Sequence, residues 1–146
     1  MRVLTGRLHA SCLLVVWAGS LWLFPYAPGL AAEASDPVER MAQGVKAYRQ
    51  GAFEQAAVNW AEASRLYEQR GQLNEQSEAL ILLAQAYQSM GLYTKALPSL
   101  QSASALVEQT GDRSRLVRIK GLAGKLYLAS GQMEEASRSL NEGLRL

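Results

Sequence analysis

Glycine recurs in this chain on a fixed step: Gly51, Gly91 and Gly131 stand 40 residues apart, and Gly71 and Gly111 repeat the interval. The same step links Ala56, Ala96 and Ala136, the bulky set Trp60, Leu100 and Leu140, and the small set Gly44, Ala84 and Gly124. Five ladders on one period describe a tandem array in which a single supersecondary unit is used about three times. Inside a helix a glycine costs roughly 1 kcal/mol against alanine, whereas just past a helix end it relieves the left-handed cap. Gly51, Gly91 and Gly131 therefore mark the turn within a hairpin, and Gly71 and Gly111 the turn between hairpins. Between them, apolar residues such as Leu80, Leu83, Ala84 and Tyr87, or Ala96, Leu100 and Ala103, recur at helical spacing. The reading is six helices over about 37–50, 53–69, 74–90, 94–109, 113–130 and 133 to the end.

An all-α solenoid of three antiparallel hairpins follows, with repeats at about 37–76, 77–116 and 117–146 in a domain spanning 35–146. Gly44, Ala84 and Gly124 allow the two helices of a hairpin to approach closely, with Ala56, Ala96 and Ala136 doing the same from the opposite helix. Trp60, Leu100 and Leu140 are expected to fill the layer between neighbouring hairpins. No hairpin buries its apolar stripe alone, so stacking is obligatory. Pro98 falls in the second turn of its helix, where it removes one hydrogen bond and is expected to bend the helix or delay its start.

The first 34 residues read differently. Arg2 and Arg7 precede an apolar run over 13–24, followed by Pro25, Pro28, Gly29 and small residues over 31–34, the layout of a secretory signal peptide with cleavage after Ala31 or Ala34. The run is short against the roughly 20 apolar residues of a membrane span, so export to the periplasm or outside is expected, with an uncleaved membrane tether as the alternative. Cys12 does not read as a lipid-attachment site, because the apolar run follows it. With the leader go its two arginines, and the 15 Lys and Arg fall to 13 against 13 Asp and Glu. A nucleic-acid binder would carry a basic excess, so that class is set aside. The one histidine, His9, and the one cysteine, Cys12, also lie in the leader. The remaining domain has no disulfide, imidazole base, thiolate nucleophile or thiolate or imidazole zinc site. No enzyme activity, cofactor, metal or small-molecule substrate is expected.

In the second repeat Leu80, Leu83, Ala84, Tyr87, Gly91, Tyr93, Ala96, Leu100 and Ala103 resemble the tetratricopeptide repeat signature of large, small, aromatic, Gly, aromatic, Ala, large and Ala positions. The first repeat matches at Gly44, Gly51, Phe53, Ala56, Trp60 and Ala63, and the third at Gly124, Tyr127, Gly131, Ala136 and Leu140. Ala47 stands where the first hairpin's aromatic is expected, and Arg40 and Lys120 where Leu80 is. The family's usual step is roughly 34 residues, so each hairpin here is longer by nearly a turn, similar to the extended repeats of kinesin light chains and of many large bacterial proteins. The resemblance implies a right-handed solenoid whose inner helices line a groove.

The groove positions it implies are Val38, Met41, Val45, Tyr48 and Arg49, then Glu78, Ile81, Gln85, Gln88 and Ser89, then Arg118, Gly121, Lys125, Leu128 and Ala129. Of these, Met41, Val45, Tyr48, Arg49, Gln85, Gln88, Arg118 and Lys125 are the expected partner-binding residues, apolar and aromatic at one end and basic at the other. Val45, Gln85 and Lys125 occupy places where the chaperone-tail clamp of some relatives needs asparagines, so that ligand is not expected. The run Arg113, Arg115, Arg118, Lys120, Lys125 contains no acid and could grip a carboxylate-rich partner or lipid headgroups, although such a run is more often a solvated face. Glu134 and Glu135, being adjacent, do not face a common substrate and suit a helix N-terminus instead. Trp60, Tyr87, Tyr93 and Tyr127 sit at packing positions.

The expected function is thus an exported scaffold that holds a protein or peptide. The alternative is the N-terminal repeat region of a larger bacterial multidomain protein, such as one carrying a caspase-like protease further along. Leu140, Leu144 and Leu146 leave an apolar stripe on the last helix, so either further repeats or a partner is expected to cover it, a second copy of the chain included.

Overall fold

A computed structural model describes residues 36–146, and the leader expected over 1–34 lies outside the described residues. The described chain forms α1 (Pro37–Arg49), α2 (Phe53–Gln69), α3 (Leu73–Ser89), α4 (Tyr93–Thr110), α5 (Arg113–Ala129) and α6 (Met133–Leu144), with no strand among those residues. No helix there is long and apolar enough to cross a membrane. Consecutive helices pack as antiparallel neighbours, giving three hairpins, α1–α2, α3–α4 and α5–α6.

The turns carry out what the glycine ladder requires. All five turn glycines have positive φ, from 66° to 78°. At Gly51 the amide donates to the Tyr48 carbonyl, and the Ala52 amide donates to the Ala47 carbonyl, both at 3.0 Å. These two bonds form a Schellman cap. The same pair of bonds closes α2 at Gly71, α3 at Gly91 and α5 at Gly131. Gly111 departs from the pattern. There α4 runs one residue further and the glycine amide donates straight back to the Val107 carbonyl at 2.9 Å. The next helix is then started by Asp112, whose carboxylate accepts from the Arg115 amide at 3.0 Å. At the other end of the array, Asp36 caps α1 through the Val38 amide and Pro37 takes the first helical position, where its missing N–H costs nothing.

The core consists of two main clusters strung along the array and a smaller third of Ala63, Tyr67 and Ala79. One joins Ala47, Ala56, Ala57 and Trp60 to Leu83 and Ala86, between the first and second hairpins. The other joins Ile81, Ala84, Ala96, Leu100, Ala103 and Val107 to Ile119 and Leu126, between the second and third. Trp60 is 1% exposed. It lies flat over Gly44, where an added Cβ would come within 2.4 Å of the indole nitrogen, and that nitrogen donates to the Met41 carbonyl at 3.4 Å.

Two expectations need revising. Trp60 fills the layer between the first two hairpins as expected and also seats on Gly44 of its own hairpin, whereas Leu140 seats on Gly124 of its own hairpin and remains exposed instead of filling such a layer. The missing Cβ opens a socket inside the hairpin, and the large side chain takes it. Pro98 does not delay its helix, which starts at Tyr93 and continues through the proline on its exposed side. A missing donor on a solvated face is replaced by water at the carbonyl it leaves free.

Candidate partner-binding face

The odd-numbered helices α1, α3 and α5 touch side by side through bonds between residues about one repeat apart. The Tyr48 hydroxyl bonds the Ser89 hydroxyl at 2.8 Å across α1 and α3. Across α3 and α5, Arg115 donates to the Asn74 side-chain oxygen at 3.0 Å and lies 3.6 Å from Glu78, whose carboxylate also takes Arg118. These contacts define one continuous face, and the expected groove residues divide on it into two groups.

The first group is structural. Met41 and Val45 are half-buried against the first core cluster. Tyr48 is wedged beside Phe53 and Trp60, with ring centres 5.1 and 5.5 Å away. Ile81, placed in the groove by its position in the repeat, is fully buried in the second cluster. Arg118 is exposed yet committed to Glu78. The second group is free: Arg49 and Lys125 are exposed, Gln85 and Gln88 are half-buried, and none of the four side chains makes a hydrogen bond or ion pair among the described residues. Gln85 and Gln88 stand on α3, flanked by Arg49 on α1 and Lys125 on α5. Amides and cations of this kind can hydrogen-bond a peptide backbone and pair with a carboxylate.

The acid-free run on α5 is tied down over most of its length. Arg115 lies 3.3 Å from Asp112, Arg118 pairs with Glu78, and Lys120 pairs with Glu142 at 2.7 Å. The acids that neutralise it sit on other helices or just before α5, which is why the run looks uncompensated along the chain. Asn74 adds a neutral acceptor for Arg115. Neither it nor Ser89, which bonds Tyr48, stands out by residue type. Spacing is the signal that could find them: each pair is 41 residues apart, one period and one step. The Asp112 carboxyl is held below its usual value, chiefly by the Arg115 amide and then by the Ser114 hydroxyl, with burial opposing. Lys120 holds Glu142 down in the same way. Glu134 and Glu135 lie in the first turn of α6, as a helix N-terminus favours. Among the described residues no group of three or more His, Cys, Asp or Glu could hold a metal.

Comparison with known proteins agrees with this architecture. A family model described as tetratricopeptide repeat matches residues 75–146, which takes in almost all of α3 and the rest of the array. Among solved structures the chain is similar to the crystal structure of the TPR domain of Arabidopsis FLU, at 18% identity and a TM-score of 0.71, covering 75% of this chain and 92% of that one. It also aligns with the crystal structure of MamA protein at 15% identity over 75% of this chain and 90% of that one, but with a TM-score of 0.20. No curated protein matches the chain.

Proposed function

We propose, from the premise that this chain belongs to the tetratricopeptide repeat family, that its α1–α3–α5 face holds an extended segment of another protein. The family assignment supports a protein–protein interaction scaffold in general terms. The observation that carries the finer reading is the contrast within that face. Tyr48, Ser89, Glu78 and Arg118 tie neighbouring hairpins together, while Gln85 and Gln88 between them, with Arg49 and Lys125 at the sides, keep their hydrogen-bonding capacity unspent. A rigid backbone with free amides flanked by cations suits an extended segment bearing a carboxylate near one end. The Met41 and Val45 side chains contribute their exposed parts as an apolar floor. On this reading the domain performs no chemistry.

We place the domain outside the cytoplasm, on the strength of the signal-like order of residues 1–34. Sequencing the N-terminus of protein recovered from cell envelopes tests this, with a start between residues 32 and 35 expected and a start at Met1 opposing it. The groove reading is tested by crosslinking in the source cell from a photoreactive residue at Gln88. Adducts to a discrete protein, lost in a Gln85→Glu, Lys125→Glu variant that stays helical, are expected. Adducts unchanged by that variant would place the partner elsewhere. A second reading is favoured by Leu144, which is 85% exposed, together with exposed Leu140 and Leu146: the last helix meets a partner or a second copy of the chain. A solution mass of two chains that falls to one when Leu140 and Leu144 are made serine would support that copy.

A further inference from the structure

A second recess lies away from the α1–α3–α5 face. It is an open cleft of about 410 Å³ between α4 and α6, floored by α5, within the roughly 300–1,000 Å³ typical of ligand sites. Its floor is apolar, with Leu97, Ile119, Ala123 and the Tyr127 ring. Carboxylates stand at its two ends. Since α4 and α6 are each antiparallel to α5, they run parallel, and Glu135 at the start of α6 lies towards the opposite end from Glu108 near the close of α4.

The charges on its rim are unevenly satisfied. Lys120 is bonded to Glu142, while Arg138, three residues after Glu135 on α6, makes no hydrogen bond or ion pair among the described residues and acts on Glu142 only through its field. Glu108 receives only the Ser104 hydroxyl, at 3.1 Å, and Glu135 has no hydrogen bond or ion pair among the described residues.

The preceding hairpin junction shows what is missing. One period earlier, Leu83 stands where Ala123 does, and Lys95 where Glu135 does. There the Lys95 ammonium lies 6.0 Å from the centre of the Tyr87 ring, at the reach of a cation–π contact. Tyr87 is the counterpart of Tyr127. At the later junction the leucine has become a methyl group and the lysine has become its opposite charge, so the aromatic face has lost its cation and has gained a carboxylate that would hold one. Leu97 and Ile119 in place of Ala57 and Ala79 take back some of the volume and keep the floor apolar.

We propose that this cleft docks a short extended segment of a partner protein that carries a basic residue at each end and a bulky apolar side chain between. One cation takes the place over Tyr127 that Lys95 holds over Tyr87, paired with Glu135. The apolar side chain covers Ala123, and the second cation meets Glu108. Glu135 and Glu108 are about 13 helical positions apart after correction for one repeat, or roughly 20 Å at 1.5 Å per residue. An extended chain rises about 3.3 Å per residue, which sets the two basic residues about six apart. This docking is independent of the groove proposed above, because none of the cleft residues is a groove residue.

The test uses the full chain and two fluorescent seven-residue peptides with the same leucine- and phenylalanine-containing centre, one ended by lysines and one by glutamates. The lysine-ended peptide is expected to bind at least tenfold more tightly, and to shift the amide resonances of Ser104, Ala123 and Tyr127 without shifting those of Gln85 and Gln88. Exchanging both carboxylates, Glu108→Lys with Glu135→Lys, touches exposed or half-exposed positions that support no other contact between helices, and is expected to reverse the preference between the peptides. Equal binding of the two, an unchanged preference in the charge-reversed protein, resonance shifts confined to α1 and α3, or no binding at millimolar peptide would each overturn the proposal.

Discussion

The two places where one hairpin meets the next are built from the same positions and come out differently. Between α2 and α3 the chain turns through a Schellman cap at Gly71, and the space is filled by Trp60, Leu80 and Leu83, with Tyr67 buried against Ala63 and Ala79. Between α4 and α5 the turn at Gly111 lacks that cap, α5 is started by the Asp112 carboxylate, and the two helices meet over less of their length. Leu100, Lys120 and Ala123 replace the tryptophan and the two leucines. The first junction is closed by apolar volume, while the second adds the Glu78 contacts to Arg115 and Arg118 to its own apolar cluster and is left partly open, with its cleft on the side away from the α1–α3–α5 face. A fixed repeat period therefore sets where helices lie, while side-chain volume at equivalent positions decides how tightly they close.

The sharpest way to break this contrast is to remove the large side chain on each side of it. Trp60→Ala is expected to cost about 3–5 kcal/mol of unfolding free energy, and Leu100→Ala about 2–3 kcal/mol, because the leucine takes less buried volume with it. Urea unfolding measures both, and equal losses would mean that the junctions are closed alike. Ala123→Leu restores the residue that the earlier hairpin has and is expected to stabilise the chain by about 0.5–1 kcal/mol as it fills the cleft. A destabilised protein would show that Leu97 and Ile119 have already used that space. Glu78→Gln removes the carboxylate shared by Arg115 and Arg118, and a loss of at most about 1 kcal/mol is expected for so exposed a pair. Hydrogen exchange should place that loss in the third hairpin and leave α1 and α2 unchanged.

Acid provides the mildest test. Asp112 and Glu142 have carboxyls depressed in the folded state. The stability they contribute is present above the ordinary unfolded carboxyl range near pH 4 and is lost as pH falls through the lower folded values. Amide protection in α5 and α6 is expected to fall between about pH 4 and pH 2 before that in α1 does. A uniform loss along the array would remove the electrostatic difference between the junctions.

Much of the fold can be read from the sequence because it depends on backbone chemistry. The glycine ladder marks every turn, and the helices begin and end within about two residues of the expected bounds. Trp60 is harder to read for a different reason: its socket is the absence of a Cβ at Gly44, and the value of an absent atom depends on how close α2 comes. The face is legible as a set of positions but not as a set of roles. Ile81 has groove spacing, yet burial removes it, and Arg118 looks like a free cation until α3 brings Glu78 beside it. The cleft leaves no local mark along the chain, since it arises from substitutions on three helices, and only setting equivalent positions of the repeats side by side exposes it.

The bond from Arg118 to Glu78 joins equivalent positions of successive hairpins. Two copies of the second hairpin placed in succession would set glutamate against glutamate there, and two copies of the third would set arginine against arginine. Like charges at that contact oppose stacking, whereas the order found here pairs them. The hairpins are therefore not interchangeable bricks. The contact works against duplication, since repeating the second or third unit in succession would place like charges side by side at that step.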